Sequence, residues 1–253
     1  MAIITITTDL GLKDHYVSSI KGAVLSRLPD VTIVDISHQI PTYNIQDAAY
    51  ILKNAYPNFP KGTIHIIGLR SEYSVHSSHV IVFSDGHYFI SSDNGIFSLL
   101  LETPIDKVIE LPANISTFPS KDVFAIIAAQ LASGATPESL GALKDGLLER
   151  MPFRAATMGD MIRGTVEYID SYGNVMCNIS EALFNQVGKG REFKIEFARY
   201  GIDKISKTYN EVPEGEILAL FNSANQLEIA MNSDKANSML NLKLNDSVTI
   251  RFQ

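Results

Sequence analysis

Ile3-Ile4-Thr5-Ile6-Thr7-Thr8-Asp9-Leu10-Gly11-Leu12-Lys13-Asp14-His15-Tyr16 opens the chain as an apolar, β-branched run that ends on a carboxylate. Such a run is expected to be a buried strand. Gly11 supplies a turn, and Tyr16, Ile20, Ala23, Val24 and Leu28 then recur at helical spacing. A strand that delivers an acidic residue into a tight turn before a helix is the usual ligand crevice of an open α/β sheet. Asp9 and Asp14 lie five residues apart, so one loop can aim both at one ligand. The same residues also fit a local role, with Asp14 as the helix N-cap and Asp9 closing the turn.

Outward from this stretch the pattern alternates. Strands are expected over 32–36, 63–67 and 107–111, with helices over 45–55, 93–101 and 122–131, the last ending near Gly134. Residues 79–92 read as a hairpin around Asp85-Gly86. The loop Ser116-Thr117-Phe118-Pro119-Ser120 precedes a helix, and its free amides are candidates to face a ligand. Residues 136–152 suit a connection between domains. Beyond them helix patterns fade, and six strands are expected over 163–169, 174–179, 192–197, 217–221, 226–231 and 247–252. The predicted fold class is α/β. A mainly parallel α/β sandwich domain (1–150) precedes a small antiparallel barrel or sandwich (158–253).

Composition removes several function classes. The 253 residues are 45% hydrophobic and 19% charged, ordinary for a globular chain. A net charge of −7 with no run of Lys and Arg argues against a nucleic-acid surface. Cys177 is the single cysteine, which precludes an internal disulfide or a thiolate metal cluster and fits a reducing compartment. No run reaches membrane-span length and no signal-peptide pattern opens the chain, so a cytoplasmic location is expected and no membrane partner. There is no Gly-rich phosphate loop and no nucleophile elbow. His76 and His79 are three apart without an acidic partner at diagnostic spacing, so they read as surface or hairpin residues. Asp170 and Asn174 bracket a tight turn, where such residues are common for local reasons.

Six segments occur in a telling order: Thr7-Thr8-Asp9-Leu10-Gly11 with Asp14, Ile33 to His38, Ser92-Asp93-Asn94-Gly95, Ser116-Thr117-Phe118, Asp170-Ser171-Tyr172-Gly173-Asn174, and Asn222-Ser223 with Leu227-Glu228-Ile229-Ala230. Together they resemble the S-adenosylmethionine (SAM) hydroxide adenosyltransferase family, or SAM hydrolases, to which the bacterial fluorinase and chlorinase are related. The resemblance spans nearly the whole chain. It implies a C-terminal β-barrel, a homotrimer, and a nucleoside ligand (SAM or adenosine) shared between subunits, with no cofactor beyond SAM itself. By that resemblance Asp9 holds the ribose diol, as one carboxylate can accept from two adjacent hydroxyls. Tyr43 would lie against the ribose, or serve as an ordinary capping aromatic. Asp14 and Asp170 would face the methionine end, Asn174 the adenine edge. The segment holding Phe221, Asn222 and Ser233 would close over the base.

The family reaction is displacement at the ribose 5′ carbon. Methionine leaves as a neutral thioether, so the burden falls on placing and activating a nucleophile. SAM hydrolases are similar to one another in an Asp of an Asp-Pro-Gly-Val-Gly loop, an Arg beyond it and a His of a Thr-Phe-His-Gly loop. This chain has Arg70, Ser77 or Ser78, and Pro119 at those positions. Arg70, Thr117 and Ser120 remain as catalytic candidates, and Tyr73 as a further ligand contact. Two function classes follow: an adenosyl-transferring enzyme with an altered nucleophile site, or a non-catalytic binder of SAM or adenosine.

Overall fold

A computed structural model describes residues 2–151 and 153–253. The chain forms two units, Met1–Pro152 and Phe153–Gln253. In the first, strands β1 (Ile3–Thr8), β2 (Thr32–Ser37), β3 (Ile64–Gly68), β4 (His79–Ser84), β5 (His87–Ser92), β6 (Ile105–Glu110) and β7 (Ala142–Leu143) form one sheet of order β2-β1-β3-β5-β4-β6-β7. β4 and β7 run against the other five. The chain leaves β1 for β2 on one side and returns to β3 on the other. The carboxyl ends of β1 and β3 are therefore the switch point where open α/β sheets hold ligands.

Alternation along the strands decides which helix covers which face. Ile4, Ile6, Ile64, Ile66, Ile81 and Ile90 pack under α1 (Tyr16–Leu25) and α4 (Ala125–Ala132). Ile67, Leu69, Val80, Val82 and Phe89 pack under α2 (Ile45–Ala55) and α3 (Ile96–Leu100). α2 matches the expected span, and Asn44 Oδ1 caps it by accepting from the amides of Gln46 and Asp47. α1 differs from expectation at its start. His15 holds the N-cap position with no side-chain cap bond, and Asp14 is exposed, so its expected capping role is not seen. The buried stripe is Val17, Ile20 and Val24, while Tyr16 lies edge-on against Phe118 at 5.4 Å. Asp85 and Gly86 have φ of 49° and 74°, the two left-handed residues of a type I′ hairpin turn.

Two interior features were not legible from periodicity. Between β1, β3 and β5, Thr5 Oγ1 lies 2.7 Å from His65 Nδ1, and His65 Nε2 lies 3.1 Å from His87 Nδ1. The rings of Tyr56 and Phe89 enclose this fully buried pair. Second, the 136–152 stretch, expected as a connection, is built into the first sheet. β7 pairs with β6, Lys144 Nζ reaches Asp93 Oδ2 and Ser78 Oγ at 2.9 Å each, and Leu148 N donates to Asp93 Oδ1 at 2.8 Å. Asp93 is buried, and a buried carboxylate persists only with such partners.

The second unit is a barrel-like sheet of β8 (Ala156–Met158), β9 (Met161–Ile169), β10 (Val175–Ser180), β11 (Phe193–Phe197), β12 (Tyr200–Ile202), β13 (Ile205–Ser206), β14 (Ile217–Phe221), β15 (Gln226–Met231) and β16 (Ser247–Phe252). The order is β12-β11-β16-β9-β10-β15-β14-β13, with β8 on β9 and only β13 and β14 paired in parallel. Ile162, Val166, Cys177, Ile229 and Ile250 fill its interior. The sequence reading missed two helices here, α5 (Glu181–Gly188) and α6 (Ala236–Met239). In α5, Ser180 Oγ caps by accepting from Leu183 N, and Phe184 packs on Phe193, Phe221 and Phe252. Among the described residues no helix is long and apolar enough to cross a membrane.

Candidate functional site

The switch point of the first sheet brings Asp9, Tyr43 and Arg70 together. Asp9 follows β1 directly, and its Oδ2 accepts the Tyr43 amide at 2.7 Å. Arg70 follows β3; its Nε donates to the Tyr43 carbonyl at 3.1 Å and its guanidinium lies 5.7 Å from the Tyr43 ring centre. Tyr43 and Arg70 both have left-handed backbone, with φ of 64° and 44°. Bulky residues avoid that region, and strain of this kind concentrates at binding sites. Among the described residues, the Tyr43 amide is the one partner of the Asp9 carboxylate, which leaves Oδ1 open. Asp14 is exposed in the same loop and makes no described bond.

Neighbouring residues brace this arrangement. His38 Nδ1 lies 2.7 Å from Thr8 Oγ1, and the Gly11 amide donates to the His38 carbonyl at 2.8 Å, which fixes the Asp9 turn. His79 is buried, and its Nε2 donates to the Ser71 carbonyl at 2.8 Å, pinning the loop that carries Arg70. Burial pushes the His79 imidazole down, with the bond to Ser71 acting the other way. Tyr73 packs edge-on against His79 at 5.5 Å.

In the 116–120 loop one amide, that of Phe118, is used internally, and the two residues after the loop fold back on it. The Phe118 amide is taken by Ser116 Oγ, and the amides of Lys121 and Asp122, past the loop, by the Phe118 carbonyl. A π-helical turn (Ser120–Phe124) leads into α4. Thr117 is exposed, whereas Ser120 is buried with its Oγ 3.4 Å from Ser71 Oγ. Gly68 permits this approach, because a Cβ there would fall 2.5 Å from Ser120 Oγ. Ser78, one of the two positions matched to the missing Arg, is engaged by Lys144.

In the second unit Asp170 and Asn174 close the β9–β10 turn. Asp170 Oδ1 accepts from Asn174 N at 2.9 Å, and Asp170 N donates to the Asn174 carbonyl at 3.1 Å. Both line a cavity of about 710 Å³ with Tyr172, Tyr209, Ser233 and Lys235. Ser233 is thus placed beside them, but Phe221 and Asn222 are not in the lining. Phe221 packs on Phe184 at 5.3 Å, and Asn222 Oδ1 holds a turn by accepting from Ala224 N and Gln226 N. Tyr209 was missed from sequence. Its hydroxyl donates to Glu228 Oε1 at 2.8 Å, and Glu228 is only 1% exposed. A lone acid inside the apolar run Leu227 to Met231 was the signal that marked it.

Comparison with known proteins identifies the family. The SAM hydroxide adenosyltransferase N-terminal domain matches residues 4–141, and the C-terminal domain of the same family matches 164–249. A curated (R)-S-adenosyl-L-methionine hydrolase of Thermus thermophilus is 33% identical, covering 93% of this chain and 94% of that protein. The hydrolase of that name from Methanocaldococcus jannaschii is 32% identical over 99% and 96%. A fluorinase of an Actinoplanes species is 24% identical over 98% and 97%. Among solved structures, an uncharacterized conserved protein from Thermotoga maritima superposes with a TM-score of 0.90 at 26% identity, covering 99% of this chain and all of that one. With matches of both domain models in sequence order and a third of residues shared with full-length relatives, the chain belongs to the SAM hydroxide adenosyltransferase family.

Proposed function

We propose that the chain binds SAM or adenosine in the family's manner but does not activate water as the hydrolases do. The observation that carries this is the locked trio at the switch point. Asp9 is held with one oxygen open for a ribose diol, while Arg70 stands where the hydrolases have an acid and is turned onto Tyr43. Asp170 and Asn174 at the barrel cavity supply the complementary polar groups for the methionine end and the adenine edge. SAM carries a sulfonium, and a guanidinium ~4 Å away repels it by about 1 kcal/mol in water and about 4 at a surface dielectric near 20. Arg70 therefore favours neutral adenosine over SAM.

Mass-spectrometric analysis after incubation with SAM tests this, with and without chloride. The expected result in plain buffer is no adenosine, or a trace. Release at ~1 per second or faster would mean that another residue activates water. Chloride-dependent loss of SAM would support a second reading, transfer of the adenosyl group to an anion drawn in by Arg70, with Thr117 and Ser120 as candidate hydroxyl donors to it. That reading is favoured by one feature, the exposed guanidinium whose terminal nitrogens have no described partner.

The proposal includes a homotrimer whose sites draw on more than one subunit. Light scattering is expected to give three times the mass of the 27.8 kDa chain. A monomer that still binds adenosine tightly would overturn the shared site.

A further inference from the structure

Arg70 is an exposed cation whose main chain is anchored on both sides. Before it, the carbonyl of the buried Leu69 accepts from Asn94 Nδ2 at 3.0 Å. After it, the Ser71 carbonyl accepts from Nε2 of the buried His79 at 2.8 Å. Between these anchors Arg70 keeps a left-handed φ of 44°, which residues with a side chain avoid. Its side chain is oriented as well. Nε donates to the Tyr43 carbonyl at 3.1 Å, which leaves the two terminal nitrogens as a fork. Among the described residues Arg70 forms no ion pair, neither with Glu72 two positions on nor with Asp9. A guanidinium fixed in this way without a counterion is suited to a bound anion. The kind of anion follows from what stands beside it. Asp9 and Arg70 grip one residue from its two ends, the Tyr43 amide and the Tyr43 carbonyl. A single residue's main chain thus separates a diol acceptor from a phosphate-type fork. In a nucleoside 5′-monophosphate a single ribose ring separates the matching groups, the diol and the phosphate.

We propose that Arg70 binds the 5′-phosphate of a nucleoside monophosphate whose ribose diol is held by Asp9. The inference rests on the nucleoside-binding reading and names the ligand class within it, anionic at the 5′ position rather than neutral. A planar guanidinium meets two phosphate oxygens at once, so the fork recognises the shape of the group as well as its charge.

Calorimetric titration with adenosine, adenosine 5′-monophosphate and inorganic phosphate tests this. The wild type is expected to bind the monophosphate about tenfold more tightly than adenosine, as for a hydrogen bond between charged groups. Added salt should shrink that ratio, because the guanidinium is exposed. Arg70→Gln removes the charge, and the preference should disappear. Arg70→Lys keeps the charge but loses the fork, and a preference of about threefold is expected. Taking the ratio within each protein cancels any change that a substitution makes to the Tyr43 loop. Inorganic phosphate alone is expected not to displace adenosine. If the wild type binds adenosine but the monophosphate no better, this inference falls and the nucleoside reading stands. The same holds if Arg70→Gln keeps the preference, or if inorganic phosphate binds as tightly as the monophosphate. If the wild type binds neither nucleoside, both fall.

Discussion

Replacing Asp9 with alanine is expected to weaken adenosine binding by about 2–4 kcal/mol, the usual loss when a charge-assisted hydrogen-bonding pair is truncated. One Asp9 oxygen is already committed to the Tyr43 amide at 2.7 Å. Alanine therefore removes the ribose acceptor and also frees a strained backbone, with Tyr43 at φ 64°. Asp9→Asn separates the two effects. Its carbonyl oxygen can still accept from Tyr43, but the charge is gone, so a smaller loss of about 1–2 kcal/mol is expected. Titration with adenosine and 2′-deoxyadenosine reads the clamp directly. The wild type should prefer the diol and Asp9→Ala should not. Equal affinity of wild type and Asp9→Ala for adenosine would remove Asp9 from the site.

Acid is expected to destabilise the fold well above the pH at which ordinary carboxylates titrate. Burial, reinforced by His87, holds the His65 imidazole down at about 3, against an ordinary value of 6.5. The group is neutral when folded and gains a proton more readily when unfolded. Its contribution is therefore complete above pH 6.5 and is lost as pH falls from there towards 3. On that basis His65 alone costs about 2 kcal/mol by pH 5 and on the order of 4 by pH 3. His79 and His87 are also pushed down by burial and act in the same direction. Glu228 and Asp47 are pushed up by burial and act oppositely. Comparing wild type with His65→Leu cancels those terms. Urea unfolding at pH 7.5 and pH 5 should show a stability difference in the wild type that is about 2 kcal/mol larger than in the variant. Equal slopes would mean that the histidine pair is already open to solvent.

How far the sequence could be read depended on which interactions were local. β1, α2, the Asp85-Gly86 hairpin and the last strand followed from periodicity and turn residues within ten or so positions. α5 lies between the expected strands 174–179 and 192–197, where Gly188-Lys189-Gly190 has the composition of a turn. That stretch is the end of a helix, with Lys189 at φ 51°, and Leu183, Phe184 and Val187 were the stripe that marked it. Asp9 stood out at once, since a carboxylate at the end of an apolar strand is conspicuous. Its lock was invisible, because Tyr43 and Arg70 reach it from loops 34 and 61 positions away. Separations of 22 and 19 positions likewise hid His65 from His87, and Tyr209 from Glu228. Residue type announces that a group is polar and buried; only the fold names its partner.

The strand β7 and the residues after it bear on how this chain can be divided. Composition places a seam near residue 135, and a fragment ending there would look complete on paper. It would lack Lys144, leaving the Asp93 carboxylate in an apolar setting without its cation. It would also strip the cover from β6, whose amides and carbonyls would then form an open sheet edge. Bare edges recruit other chains, so the consequence of cutting at the apparent seam is self-association rather than a smaller soluble half.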